Sequence, residues 1–433
     1  MEDEAKQKQK SETTPRPATA APVRPPTAMY MPDTLQLDPE RQHLLSLWSM
    51  EWSSVKHGFE RHLFPTKWID RILPAARKHM PLLQALLAYS GTLWALANNV
   101  ISNVASQQQA FAVEMLSQAC PTEREASTDE AMLAATLFLL IYLAQGNGIE
   151  VTKHVSGLVH LAKLRGGPHY LGLGGVVAET LIHADHMQAI FFNHEPIWQF
   201  PLPPLEIGMT EKMGRGFQRA VAAESIHPSV ALAARSVCKV ADVLAHASTG
   251  RVVPNDVKHS FSYLTMMAEY QLARCNASYH ATSTIDECVC LALILFNHVV
   301  LCNNGATTPS ILQAEYRFWQ ALDTLGGNGF VRSILPCLHM WMVLTGLIVA
   351  IREPSRYRMI CVEKLRMMRV SAGVKTWEDL RMNVLEEFVW IPRAQEETFR
   401  GIWLEVEGLK SDIGGLPKRL HTPHKLDVLP PVG

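Results

Sequence analysis

Between residues 39 and 410, apolar residues recur at helical spacing in segment after segment, and nowhere do they settle into a sustained alternation. Leu133, Leu137 and Leu140 fall at i, i+4 and i+7, and Val155, Leu158, Val159 and Ala162 repeat the pattern. Positions three, four and seven apart share one face of a helix, whereas a half-buried strand needs period two. Leu82-Leu83-Gln84-Ala85-Leu86-Leu87 opens a long apolar helix, and Leu380, Val384, Leu385 and Phe388 mark a late one. Cap signatures punctuate the series. Asp38-Pro39 reads as an N-cap followed by proline at the first helical position. Ser127-x-x-Glu130 and Thr376-x-x-Asp379 read as capping boxes, and Gly166-Gly167-Pro168 as a helix stop. Asn328-Gly329 sits between helical stretches rather than β-branched runs, so no hairpin is expected there. No fixed-period repeat of the solenoid kind is present. The expectation is an all-α protein with one large multi-helix domain over residues 39–410, loosely divided near Pro201–Met213.

The flanking segments read differently. Residues 1–38 hold Pro15, Pro17, Pro22, Pro25, Pro26 and Pro32 among Thr, Ala, Lys and Gln. Residues 411–433 hold Gly414-Gly415, Pro417, Pro423 and Pro430-Pro431. Such compositions cannot bury enough apolar surface to offset chain entropy, so both are expected to be disordered tails. The domain between them draws on a chain of 433 residues that is 48% hydrophobic, ample for a large core. The formal net charge of −1 supplies no basic surplus for nucleic acid, so any DNA contact is expected to be local or indirect.

The chain opens Met-Glu-Asp-Glu-Ala-Lys without an apolar run, which reads as an intracellular protein. Its eight cysteines are scattered, with only Cys288 and Cys290 close together, and read as small core hydrophobes. Ile334–Ile351 approaches the span of about 18 apolar residues that crosses a bilayer. Pro336, His339 and Thr345 lie within it and Arg352-Glu353 follow, so it reads as a buried helix.

Catalytic signatures are missing: no G-x-S-x-G elbow, no P-loop, no H-E-x-x-H. His194-Glu195-Pro196 lacks the second histidine, and its proline would break the helix that such a site requires. Gly172-Leu173-Gly174-Gly175 follows no strand and reads as a helix-connecting loop rather than a dinucleotide site. The D-D-x-x-D cluster of helical terpenoid synthases is absent as well. His183 and His186 are the candidate metal ligands. At i, i+3 they share a helix face, and His194 or His169 would have to add a third donor. The competing account is a pair of ordinary polar positions on a half-buried helix. Leu83-Gln84-Ala85-Leu86-Leu87 fits a groove-docking L-x-x-L-L motif but reads better as the core face of its own helix. The basic stretch from Arg352 to Arg369 reads as a solvated helix face. Leu338-His339-Met340-Trp341-Met342 lines either a ligand pocket or, the commoner use of such residues, core.

Three segments, taken as a set, resemble the regulatory domain of fungal-specific transcription factors. The first is His79-Met80-Pro81-Leu82-Leu83-Gln84-Ala85-Leu86-Leu87-Ala88. The second runs from Asp129-Glu130-Ala131, through the Arg165-Gly166-Gly167-Pro168 helix end, to Ala184-Asp185-His186 and Asn193-His194-Glu195-Pro196. The third joins Leu338–Gly346, Pro354-Ser355-Arg356-Tyr357-Arg358 and Val384–Trp390. The resemblance implies a helical regulatory scaffold in which Arg165, Gly166, Gly167, Pro168, Asp185, Pro196 and Trp390 are structural motif residues. In that family the domain stands C-terminal to a cluster of six cysteines on two zinc ions. Here the first cysteine is Cys120, within a predicted helical region, so none of those zinc ligands carries over. The resemblance implies a nuclear regulator or co-regulator, with a cytoplasmic location as the alternative. It would act through protein partners, such as a zinc-cluster factor or a second copy of itself, or through a small-molecule effector. It implies no catalytic residues, no cofactor and no membrane. A helical metabolic enzyme using His183 and His186, and a pure dimerisation module, are the alternatives.

Overall fold

The computed structural model describes residues 39, 42–45, 67–97, 100, 103–199, 214–248, 253, 255–279, 285–301, 309–327, 335–350 and 356–408. The expected tails 1–38 and 411–433, the Asp38 cap, the 201–213 division, Asn328-Gly329 and Pro354-Ser355 lie outside them, Pro39 excepted. Among the described residues every regular element is a helix or a helical turn, as the apolar spacing predicts.

The N-terminal half begins with α1 (Lys67–Lys78), α2 (Met80–Ala97) and α3 (Asn103–Ala119). A short turn, α4 (Glu123–Ala126), leads to α5 (Asp129–Gln145), α6 (Gly148–Leu164) and α7 (Val176–Phe192). α2 packs on both α3 and α5, and α5 on α6 and α7. Leu82, Leu83, Ala85, Leu86 and Leu87 are all buried, so the L-x-x-L-L segment is core of its own helix. Leu133, Leu137 and Leu140 are buried in α5.

The C-terminal half comprises α8 (Arg215–Ala222), α9 (Pro228–Ser248), α10 (Asn255–Tyr279) and α11 (Ile285–Leu295), the last continued by a π-helical turn at Phe296–Leu301. Then follow α12 (Pro309–Gly327), α13 (Pro336–Ala350), α14 (Arg356–Ser371), α15 (Trp377–Leu380) with a π-helical turn at Arg381–Leu385, and α16 (Pro392–Val406). α7 belongs to both halves: it packs on α5 and on α10, and one contiguous core runs from Ile182 in α7 to Val406 in α16. Leu338, Met340, Trp341 and Met342 are buried within that core, the second of the two readings. No helix of the described residues is long and apolar enough to cross a membrane, and α13 is a buried helix, as expected.

Two local expectations are corrected. The capping box near α5 is not Ser127 with Glu130. It lies five residues earlier, where Thr122 and Glu125 cap α4 reciprocally. The Ser127 and Thr128 hydroxyls instead donate to the carbonyls of Arg124 (3.0 Å) and Glu125 (2.9 Å), closing the end of α4. Three basic residues of the 352–369 stretch, Arg358, Lys364 and Arg366, are also not a free solvated face. Arg358 pairs with Glu405 at 2.6 Å, Lys364 with Asp323 at 2.7 Å, and Arg366 reaches the carbonyls of Glu405 and Val406. The Thr376–Asp379 box is as expected.

Candidate functional site

All the motif residues but Trp390 lie on α7 or in the loops at its two ends. At its N-terminal side, α6 ends at Arg165, and Gly166 and Gly167 take φ of 86° and 110°, which side chains other than glycine rarely adopt. The Gly167 N–H reaches the Ala162 carbonyl at 2.8 Å, closing the helix end before the buried Pro168. Arg165 is the fastener. Its Nη1 donates to the Ser127 carbonyl at 2.6 Å, and its Nη2 lies 3.0 Å from Asp129 Oδ1. The same carboxylate accepts the Gly172 N–H at 3.1 Å. Asp129, at the first position of α5, thus ties the start of one helix to the end of another and to the loop before α7. The Gly172–Gly175 stretch is that helix-connecting loop, as its sequence suggests.

At the other end of α7, Asp185 is 2% exposed. Its Oδ1 accepts the Ile197 N–H (3.1 Å) and the Gln188 amide (2.8 Å), while Oδ2 accepts the Trp198 N–H (3.0 Å). The half-buried Pro196 stands immediately before the first of these donors. One buried carboxylate thereby folds the His194–Trp198 segment back over its own helix.

His183 and His186 do share a face, as their spacing requires, and both turn toward Glu269 of α10. Their Nδ1 atoms lie 2.8 and 3.8 Å from Glu269 Oε2. The proposed third donors are not there. His169 and His194 are exposed, and His194 stacks on Phe192 while its Nδ1 meets the Glu195 carbonyl at 2.8 Å. Among the described residues no group of three His, Cys, Asp or Glu side chains is placed to hold a metal ion. Seven residues farther along both helices, Asn276 donates to the Ile190 carbonyl (3.2 Å) and to Asn193 (3.0 Å). Since both chains advance together, α7 and α10 run parallel, with a polar contact at each end of an apolar seam. Arg317 of α12 joins the second contact. It bonds Asn193, Asn276 Oδ1 (3.0 Å) and Glu287 Oε1 (3.0 Å), with Glu287 buried. None of Glu269, Asn276, Glu287 and Arg317 stands out in the sequence. Their only local signal is a polar side chain on an otherwise apolar helical face, repeated at i, i+7 in α10.

The late motif segment is core. Val384, Leu385, Phe388, Val389 and Trp390 are buried. Phe217 of α8 meets Trp341 and Phe388 edge-on, with centroids 5.2 and 5.0 Å apart, and the Trp341 N–H donates to the Val389 carbonyl at 3.0 Å. Trp390 stands against Phe399 of α16 at 6.5 Å.

Cysteines 238, 275, 288, 290 and 361 are buried in helices, where burial drives the Cys288 and Cys290 thiols well up and Cys361 to about 12. Such thiols stay protonated and serve as small core groups rather than nucleophiles or ligands. Cys120 and Cys337 are half-buried, and Cys302 lies outside the described residues.

Residues 59–194 match the fungal specific transcription factor domain. The match covers just under a third of the chain and includes Arg165, Gly166, Gly167, Pro168, Asp185 and the His183–His186 pair. Pro196 and Trp390 lie beyond it. Within the matched residues, the polar fasteners Asp129–Arg165–Gly172 and Asp185 organise loops between helices. No curated protein and no solved structure matches the chain. The match supports a role in transcription regulation.

Proposed function

We propose that this chain is a nuclear transcription regulator or co-regulator of the fungal zinc-cluster type, acting through protein partners or a small effector rather than by its own reading of DNA. The match of residues 59–194 to the fungal specific transcription factor domain carries this reading. Two further observations support it. The net charge is −1, so no general electrostatic attraction for a polyanion is available. Every buried cysteine named above is built into the helical core and is poorly suited to a zinc cluster. Sequence-specific DNA contact would then come from a partner that carries such a cluster.

The deciding experiment fuses the full chain to a heterologous DNA-binding module and measures a reporter downstream of its target. Expression raised or lowered several-fold relative to the module alone is expected. An unchanged reporter, with the fusion present in the nucleus at normal abundance, overturns the proposal. Co-purification of a zinc-cluster protein from nuclear extract, lost on nuclease-free high-salt washing only slowly, is the expected companion result.

A further inference from the structure

We draw no further inference here: the strongest candidate, the buried cluster of His183 and His186 against Glu269 on the seam between α7 and α10, belongs to the site already described, where among the described residues no group of three side chains is placed to hold a metal ion.

Discussion

Asp185 and Trp198 are thirteen residues apart, and the carboxylate of one accepts the backbone N–H of the other at 3.0 Å. Because the same buried group also accepts the Ile197 N–H, the loop that leaves α7 has one anchor for two donors. Removing it strands both. These two donors are only partly buried, but the buried Gln188 amide loses its partner as well, so Asp185→Ala should cost about 1–3 kcal/mol. Asp185→Asn keeps one acceptor and should lose roughly half as much. Urea unfolding of both variants, with limited proteolysis of the 194–199 segment, checks this. Equal stability of Asp185→Ala and the parent would remove the anchor from the account.

Gly172 lies where a Cβ would overlap the Asp129 carboxylate, the group that also holds Arg165. Gly172→Ala must therefore push Asp129 away from both of its partners. Gly172→Ala and Arg165→Ala are each expected to destabilise by about 1–3 kcal/mol, and the double variant by much less than their sum. The reason is that either change already breaks the same junction. Additive losses in a double-mutant cycle would show that Arg165 and Gly172 act separately.

Apolar content sufficed where a helix is buried on nearly every side. Leu82, Leu86 and Leu133 are core because the helices that carry them, α2 and α5, are apolar almost all round and have no polar face to turn to water. Periodicity is a poorer guide to the face of α14: it sends the basic residues to solvent, yet Arg358 and Lys364 pair with side chains 47 and 41 residues away. Side-chain partners at such separations leave no periodic trace. Ser127 shows a subtler loss: a valid capping pattern existed, but a competing box at Thr122 formed the preceding turn and consumed the Ser127 hydroxyl. Asp185 was visible as a motif residue but its task was not, because its partners are backbone N–H groups that any sequence supplies. The Glu269 and Arg317 contacts join helices 86 and 124 residues apart and became legible only with the fold.

Stability should fall as the solution is acidified through the range just below pH 6.5. Burial lowers the pKa of His154, which packs against Tyr142 at 5.0 Å, and burial likewise lowers that of His79. His79 Nδ1 also accepts the Leu82 N–H at the start of α2, a role open only to the unprotonated ring. With folded pKa values below the unfolded value near 6.5, the unfolded chain binds more protons in that interval. The contribution is complete above pH 6.5 and is lost as pH drops toward the folded values. His154→Gln and His79→Asn, the latter retaining an acceptor for the cap, should flatten the decline. Urea midpoints from pH 7.5 to 5 measure it, and a parent slope no steeper than that of the double variant would contradict it.

Gly216 and Gly157 offer opposite outcomes from the same substitution. At Gly216 a Cβ would stand 2.6 Å from the Phe388 ring and 2.9 Å from the Glu387 carbonyl. That carbonyl already accepts the Gly216 N–H at 2.6 Å, so neither neighbour can retreat without giving up α8's seat on the late motif segment. Gly216→Ala should cost about 1–3 kcal/mol by overpacking and shift the emission of Trp341, whose ring lies against Phe217 and Phe388. At Gly157, exposed within α6, a Cβ meets nothing within 4 Å. Gly157→Ala should therefore stabilise by about 0.5–1 kcal/mol, through helix propensity alone, with tryptophan emission unchanged. Thermal melts with fluorescence on both variants read the contrast. If the two alanines acted alike, close packing of α8 against Phe388 could not be what places glycine at position 216.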